Sequence, residues 1–228
     1  MMSEYRTSQY QPSEPMGDLL SERSAANLAK WSVSTASYVL PCRGETATGD
    51  RAVVRRFGHD SVMAVLFDAA GHGHQAALRA DELVTTLMHL PDDTPQAWLQ
   101  HLHTQLSGTF GAVGAALRVD LRDGTMDAVC IGDVAWVVQS PEFRQFTRTP
   151  GLLGVALPAL PRTPIRLQGP LRVVGLTDGI RSAALQELMR PSRLSAADFA
   201  EHIVRGHARP HDDAACLVID IVPGARGF

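Results

Sequence analysis

The stretch from Ser61 to Leu90 contains an apolar run, a polar loop and a helical pattern in succession. The run from Val62 to Phe67 is continuous and of strand length, which is typical of a strand covered on both faces, and Asp68 follows where this strand leaves the core. Gly71 and Gly73 allow the backbone to turn tightly. Apolar residues then recur with helical spacing at Ala76, Ala77, Ala80, Leu83, Val84, Leu87 and Met88. We therefore predict a strand, a loop and a helix in this order.

Apolar runs of strand length recur on both sides of this stretch. They occupy residues 31–40, 52–57, 111–121, 126–131, 134–139, 171–176 and 214–221. A second helix is predicted directly after the first, with Thr94 as N-cap and Pro95 as first helical residue. Two more are predicted at residues 181–189 and 196–204. Strands in two groups with helices inserted in pairs favour an α+β fold of packed antiparallel sheets covered by helices.

The middle of the chain is predicted to form an antiparallel meander. Asp123 and Gly124 separate two apolar runs, and an Asp-Gly pair in that position is a strong hairpin signal. The run at residues 134–139 follows closely and is predicted as the third strand of the meander. Residues 150–170 are rich in Pro and Gly and are predicted as a loop-rich passage with room for one strand.

Composition favours one cytoplasmic domain. The chain has 228 residues, of which 45% are hydrophobic and 20% charged, enough for one well-buried domain. A net charge of -3 argues against a nucleic-acid partner. Three cysteines without C-x-x-C spacing fit reduced thiols. The chain shows neither a signal-peptide pattern nor an apolar segment of membrane-spanning length, so we expect a soluble, cytoplasmic protein without a membrane partner.

The predicted domain organisation is simple. Residues 1–28 mix Ser, Gln, Glu and Pro with few large apolar groups and are predicted to form a flexible N-terminal arm. Residues 29–223 are predicted to form the folded domain, and residues 224–228 a C-terminal tail. We therefore expect no built-in sensor domain.

Acidic residues border apolar runs that lie far apart in the sequence. Asp68 and Asp178 each follow a predicted strand, whereas Asp50 and the pair Asp212-Asp213 each precede one. If these strands are neighbours, their ends bring the acids together, which is tolerable only around hard cations with oxygen ligands. The pattern therefore predicts a metal site.

The acids lie in short motifs that resemble a known family. In chain order the motifs are Gly49-Asp50, D-x-x-GHG from Asp68 to Gly73, Thr177-Asp178-Gly179 and Asp212-Asp213. This set, over residues 31–222, resembles the PPM or type 2C metal-dependent protein phosphatases, specifically their bacterial SpoIIE-like branch, and the chain is similar to the small stressosome feedback phosphatase in having little sequence outside the catalytic region. The resemblance implies an α-β-β-α sandwich of two antiparallel β-sheets flanked by helices.

The resemblance also implies a role for each acid at a two-metal centre. Asp68 would bridge two Mn²⁺ or Mg²⁺ ions. Asp50 would bind one of them together with the backbone carbonyl of Ala69, and Asp178 with Asp212 would hold the other. All four aspartates would therefore be catalytic.

Other polar residues near these motifs receive different predictions. Asp133 resembles the element that supplies a third, weaker metal site in many type 2C enzymes, and is otherwise a turn residue. Asp213 is expected to support its neighbours or cap a strand. His72 is expected to stabilise its loop, and Arg43 is a candidate contact for substrate phosphate or a surface residue.

The function implied by the resemblance is a Mn²⁺- or Mg²⁺-dependent serine/threonine phosphoprotein phosphatase. Its substrate would be a STAS-domain anti-sigma antagonist or a stressosome protein in bacterial stress signalling. Two other functions are considered: a catalytically silent phosphoprotein-binding adaptor of the same fold, and a zinc hydrolase using His72 and His74.

Protein recognition is expected from the loops around the site. Loops 41–49 and 149–170 are long, and the second contains several apolar residues that a partner would cover or that pack on the protein's own sheet. These residues are Leu152, Leu153, Val155, Leu157 and Leu160.

Overall fold

A computed structural model describes residues 31–139, 143–162 and 164–224, which form eleven strands and four helices. The strands are β1 (Trp31–Leu40), β2 (Asp50–Phe57), β3 (Ser61–Ala69), β4 (Ala112–Asp120), β5 (Thr125–Ile131), β6 (Ala135–Gln139), β7 (Arg144–Gln145), β8 (Arg148–Thr149), β9 (Ile165–Arg166), β10 (Leu171–Leu176) and β11 (Ala214–Pro223). The helices are α1 (Gly73–Leu87), α2 (Pro95–Gln105), α3 (Ala184–Leu188) and α4 (Ala196–His207). None of these described helices is both long and apolar enough to cross a membrane. The predicted arm and residues 225–228 of the predicted tail lie outside the described residues, so the domain boundaries stay predictions.

The strands form two sheets. One has five strands in the order β1-β11-β10-β6-β7, and the other has six in the order β2-β3-β4-β5-β8, with β9 also pairing with β5. Among the described strands, only β5 and β8 pair in parallel. The predicted packing of antiparallel sheets is therefore confirmed.

Three clusters of buried apolar side chains hold the layers together. Leu66 and Trp136 belong to the cluster between the two sheets. Phe67 and Trp98 belong to a second cluster, where α1 and α2 cover the six-stranded sheet. Phe199 of α4 belongs to the third, on the outer face of the five-stranded sheet. The order of layers is helix, sheet, sheet, helix, which confirms the predicted α-β-β-α sandwich.

The apolar run in β3 is explained by the position of this strand inside its sheet. Val62 and Leu66 face the other sheet, whereas Met63 and Phe67 face the helices. All four side chains are 0% exposed, because β2 and β4 flank the strand while other layers cover both of its faces. A continuous apolar sequence is what such a strand requires.

The predicted meander is wrong in its third strand. β4 and β5 form the expected antiparallel hairpin, but β6 leaves this sheet and pairs with β10 in the other one. The chain changes sheets at Gly132, whose φ of +74° lies in the left-handed region that favours glycine. β6 is buried along its whole length, so its sequence carries no alternation that could assign it to one sheet.

The apolar residues of loop 149–170 mostly pack on the protein itself. Leu153 is 0% exposed, and Leu157 and Leu160 pack against the cluster beneath α1 and α2. Val155, by contrast, is 62% exposed. The structure therefore favours the second of the two predicted roles for most of these residues, because the loop closes over the end of the helix-covered core.

Candidate active site

The five acids of the predicted site lie at one end of the sandwich, which we call the acidic end. Asp50 opens β2 and is in register with Asp68 near the end of β3. Asp133 follows β5, Asp178 follows β10 and Asp212 precedes β11. Because neighbouring strands run antiparallel, residues that precede one strand and follow the next meet at the same edge. The structure thus brings the predicted residues together, while their role as metal ligands stays a prediction.

Asp50 is the most buried of these acids and is only partly satisfied. Its side chain is 1% exposed, and its Oδ2 accepts a hydrogen bond from Thr177 Oγ1 at 2.8 Å. Its Oδ1 is buried without a hydrogen-bond partner among the described residues. Burial, followed by the charge of Asp68, raises the pKa of Asp50 well above its usual range. A buried carboxylate oxygen in this state fits a position beside a cation.

The Thr177 hydroxyl joins the two sheets at the acidic end. Besides donating to Asp50, it accepts a hydrogen bond from the backbone N–H of Ala215 at 2.8 Å. Asp50 belongs to the six-stranded sheet, whereas Thr177 and Ala215 belong to the five-stranded side. The sequence did not predict this role of Thr177, although Thr177 belongs to the Thr177-Asp178-Gly179 motif.

The remaining acids raise one another's pKa. Burial, followed by the charges of Asp178 and Asp212, raises the pKa of Asp68 to about 7. Burial, followed by the charge of Asp133, raises the pKa of Asp178 to about 6. Burial also raises the pKa of Asp212. Without a cation, the carboxyl groups of this cluster are therefore not all ionised at neutral pH.

Asp133 lies directly beside Asp178. After burial, the charge of Asp133 is the largest contribution to the raised pKa of Asp178. The role of Asp133 in a third metal site therefore stays a prediction.

Asp213 has a structural position distinct from that of its neighbour Asp212. It is buried, and its two carboxylate oxygens accept hydrogen bonds from the backbone N–H groups of Cys42 at 2.8 Å and Gly49 at 2.9 Å. A Cβ on Gly179 would lie 1.8 Å from the Asp213 carbonyl oxygen, so only glycine fits there. Asp213 thus fixes both ends of loop 42–49 and packs against the turn that carries Asp178.

The backbone carbonyl of Ala69 lies against Gly49, and its role as a metal ligand stays a prediction. A Cβ on Gly49 would come within 2.6 Å of this oxygen, and the Ala69 N–H donates to the Gly49 carbonyl at 3.3 Å. Gly49 immediately precedes Asp50. The carbonyl therefore lies next to the backbone of Asp50, and a larger residue at position 49 would displace it.

The histidine and arginine candidates lie on the surface near the cluster. His72 Nδ1 lies 3.0 Å from Glu45 Oε1, with 71% of the His72 side chain exposed. Arg43 is exposed, and its backbone N–H donates to the Pro210 carbonyl at 2.8 Å. Arg209, which sequence reasoning missed, is the cation whose charge lowers the pKa of both Asp178 and Asp212 and so partly offsets the repulsion.

The donor set fits a hard divalent cation. It consists of carboxylate oxygens and one backbone carbonyl, which suit Mg²⁺ or Mn²⁺. Among the described residues, no group of three or more Asp, Glu, His or Cys side chains lies close enough together to bind one ion. Ion binding would therefore require the aspartate side chains to rotate toward one another.

The sequence and the fold of this chain were compared with those of known proteins. The family described as "Stage II sporulation protein E (SpoIIE)" matches residues 58–222. A search of curated proteins found no match. A structure from a study of the bacterial stressosome as "a modular system that has been adapted to control secondary messenger signaling" is 27% identical, with a TM-score of 0.73, over 82% of this chain and 99% of that one.

Two further structures have the same fold. RsbX in complex with magnesium is 13% identical, with a TM-score of 0.71, over 83% of this chain and 95% of that one. The PP2C phosphatase domain of SpoIIE from Bacillus subtilis, solved with a fragment of its regulatory domain, is 16% identical, with a TM-score of 0.69, over 82% of this chain and 63% of that one. Together with the family match over residues 58–222, the sandwich fold establishes that this chain belongs to the SpoIIE family of PP2C-type phosphatases.

Proposed function

We propose that the protein is a Mn²⁺- or Mg²⁺-dependent phosphatase that hydrolyses phosphoserine or phosphothreonine in a protein substrate. The observation that carries the proposal is the environment of Asp50. One of its oxygens is held by Thr177, and the other is buried without a partner among the described residues, beside Asp68. A site of this kind is stabilised by a cation and destabilised by its own charge.

Each aspartate has a separate part in this proposal. Asp68 would contact two ions, Asp50 with the Ala69 carbonyl would complete one of their binding sites, and Asp178 with Asp212 would complete the other. When bound, two divalent ions supply a nucleophile at neutral pH and positive charge for the phosphoryl oxygens. Asp133 would hold a third ion more weakly, since it is exposed.

The chain's own residues position this centre. Thr177 orients the Asp50 carboxylate from the opposite sheet, and Asp213 holds loop 42–49 so that Gly49 stays against the Ala69 carbonyl. The positive charge of Arg209 lies near Asp178 and Asp212, where it would also attract a phosphoryl group. These contacts fix the Asp50 carboxylate and loop 42–49 before any ion or substrate arrives, so that reorganisation on binding is confined to the other aspartate side chains.

The proposed substrate is a phosphorylated STAS-domain anti-sigma antagonist or a stressosome protein. Support comes from the family match and from a chain in a study of the bacterial stressosome, which is 27% identical and is covered over 99% of its length. The alternative is a catalytically silent adaptor of the same fold that binds the phosphoprotein without hydrolysing it.

Metal titration with an aryl phosphate tests the proposal. We expect exhaustively chelated protein to be inactive, and added Mn²⁺ or Mg²⁺ to restore hydrolysis in a saturable manner, because the donor set is made of oxygens. Zn²⁺ is the control for the histidine-based alternative. Full activity after chelation would refute the proposed metal dependence. Binding of a phosphorylated STAS domain without turnover under any metal would favour the adaptor.

A further inference from the structure

A cleft lies along the outer edge of β5, the edge that faces away from β4. Its volume is about 280 Å³, and Ala128 and Val129 of β5 line it. Arg144 and Thr147, from the segment around β7 and β8, line it as well, together with Ile165 of β9. None of the five acids of the candidate active site lines this cleft. The cleft is therefore a feature separate from the acidic end.

The edge of β5 that faces the cleft is only partly paired. At one end, Cys130 and Ile131 pair with β8, and at the other end Thr125 and Met126 pair with β9. Within the described parts of the chain, residues 127–129 have no strand partner on this edge. The edge thus already pairs with two short extended segments and leaves a gap of about 10 Å between them, at about 3.3 Å per residue.

The backbone N–H and C=O groups of Ala128 face this gap. The Gly124 carbonyl accepts a hydrogen bond from the Leu167 N–H at 2.8 Å, and the Gly132 N–H donates to the Thr149 carbonyl at 3.0 Å, so both groups point to the outer edge. Backbone groups alternate between the two edges along a strand, and Ala128 lies midway between these glycines.

These two backbone groups have no partner on the outer edge. Ala128 is only 4% exposed, and no hydrogen bond on this edge joins its N–H or C=O to another described residue. A buried backbone donor and acceptor without partners are costly. The gap therefore favours an occupant that offers both a hydrogen-bond donor and an acceptor.

The segments beside the gap are basic. The described residues within 143–149 and 161–167 include no carboxylate, whereas they include four exposed arginines, Arg144, Arg148, Arg162 and Arg166. Arg162 pairs with Asp127 of β5 at 3.0 Å, and the other three arginines have no acid within these segments. The whole chain, by contrast, has a net charge of -3. This surface is therefore complementary to an acidic ligand.

We propose that the cleft binds an extended acidic segment of a partner protein, which adds a short strand to β5 at residues 127–129. In β-strand addition, backbone hydrogen bonds provide affinity, and here Ala128 contributes one donor and one acceptor. The arginines select acidic side chains. Nucleic acid matches the charge of the cleft but not its backbone edge. The inference goes beyond the proposed phosphatase activity, because the cleft lies outside the acidic end.

Fluorescence anisotropy with labelled five-residue peptides tests the proposal. The acidic probe alternates valine and glutamate, and a basic control alternates valine and lysine. A third peptide is the acidic probe with every amide N-methylated, which removes the backbone donors and keeps the side chains. We expect the acidic probe to bind at least about fivefold more tightly than either control, because one control lacks the matching charge and the other lacks the backbone bonds. Equal affinity for all three peptides would refute the proposal.

A charge reversal locates the binding site. Arg144→Glu is expected to weaken binding of the acidic probe by about fivefold or more, because it places an acid in the lining of the cleft. Arg193→Glu is the matched control, since Arg193 is exposed and lies between α3 and α4, away from β5. Unchanged affinity in Arg144→Glu, or an equal loss in Arg193→Glu, would show that the probe does not bind in this cleft.

Hydrogen exchange of the Ala128 amide, followed by NMR, tests strand addition directly. We expect this exchange to slow when the acidic probe is added to wild-type protein and to be unaffected by the N-methylated peptide, because only the first forms backbone bonds with β5. Unchanged exchange with the acidic probe would overturn the proposed strand. A labelled oligothymidylate that binds as tightly, and loses as much affinity in Arg144→Glu, would show a general anion-binding surface instead. Neither measurement requires turnover, so their outcome is independent of the proposed phosphatase activity.

Discussion

The two ends of the six-stranded sheet hold carboxylates in opposite electrostatic environments. At the end away from the acids, Asp92 accepts hydrogen bonds from Arg118 and from Ser61, and the Arg118 bond lowers the pKa of Asp92. Burial alone would raise the pKa of Asp120 there, but bonds from the Asp123 amide and Arg118 lower it overall. At the acidic end, the pKa values of Asp50 and its neighbours are raised instead.

The difference separates the carboxylates that form ion pairs from those of the candidate site. A carboxylate with a guanidinium partner stabilises the folded state while it is ionised, whereas a carboxylate beside other carboxylates destabilises that state unless a cation is added. Both ends belong to one sheet and are built from the same residue type. The direction of the pKa shift therefore identifies the candidate site more clearly than burial or sequence position does.

The largest expected effect comes from exchanging one carboxylate at each end. Asp68→Asn should reduce metal-dependent hydrolysis at least about a hundredfold, because even residues that only support metal ligands typically change activity by 10 to 100-fold. The metal-free protein should be unchanged or more stable, since one repelling charge is removed. Asp92→Asn should keep its activity and lose roughly 1 kcal/mol of unfolding free energy.

Turnover of an aryl phosphate and urea unfolding of both variants check this contrast. An active Asp68→Asn protein would remove Asp68 from the proposed centre. Loss of activity in Asp92→Asn without loss of stability would show that the two ends are not functionally distinct.

The next effect is the pH dependence of stability in metal-free protein. The folded-state pKa values of about 7 for Asp68 and about 6 for Asp178 lie above the value of 3.8 for an unperturbed Asp. Between these values the folded state binds more protons than the unfolded state, so the free energy of unfolding should increase as the pH falls from 8 to 5. The lowered pKa values of Asp92 and Asp120 act in the opposite direction, below this window.

Urea denaturation at pH 5, 6, 7 and 8 measures this dependence. Saturating Mn²⁺ should flatten or reverse it, because the ion binds deprotonated carboxylates and adds about 2.7 kcal/mol at a hundred times its Kd. A metal-free protein whose stability falls steadily from pH 8 to pH 5 would contradict the electrostatic account of the acidic end.

The smallest effect is expected from removing the cation at the opposite end. Arg118→Gln should destabilise the protein by about 1 kcal/mol, since Asp92 and Asp120 lose their guanidinium partner in a partly exposed position. Arg122→Gln is a milder control, because Arg122 pairs with Asp60 and both side chains are largely exposed. Unfolding in urea at neutral pH distinguishes them, and aryl phosphate hydrolysis should not change in either variant.

Local patterns predicted the elements of this fold better than their partners. The apolar run ending at Phe67 and the Thr94-Pro95 helix start give a strand and a helix as expected, and Thr94 accepts its predicted capping bond from the Ala97 N–H. The partner of β6 was not predictable in this way. Both sheets contain fully buried positions, so a strand buried on both faces is compatible with either sheet. The turn at Gly132 directs β6 into the five-stranded sheet.

The same limit applies to the site. Reasoning from strand ends brought the carboxylates together, because antiparallel strands fix where their ends lie. It could not show that Thr177 links the two sheets, or that Asp213 binds loop 42–49 while Asp212 stays with the cluster. Those contacts join side chains to partners far away in the sequence, and no local pattern encodes such partners.

The central position of β11 in its sheet determines when this site can form. β11 lies between β1 and β10, so within the described part of the chain residues 31–40 find their sheet partner only in residues 214–223. During synthesis, β1 is made before β11 and cannot pair with it until nearly the whole domain has been synthesised. Thr177 also depends on β11, through the Ala215 N–H. A nascent chain that ends before β11 therefore contains most of the acids but lacks the strand that brings them together. Formation of the long-range pairing between β1 and β11 is expected to be a slow step in folding.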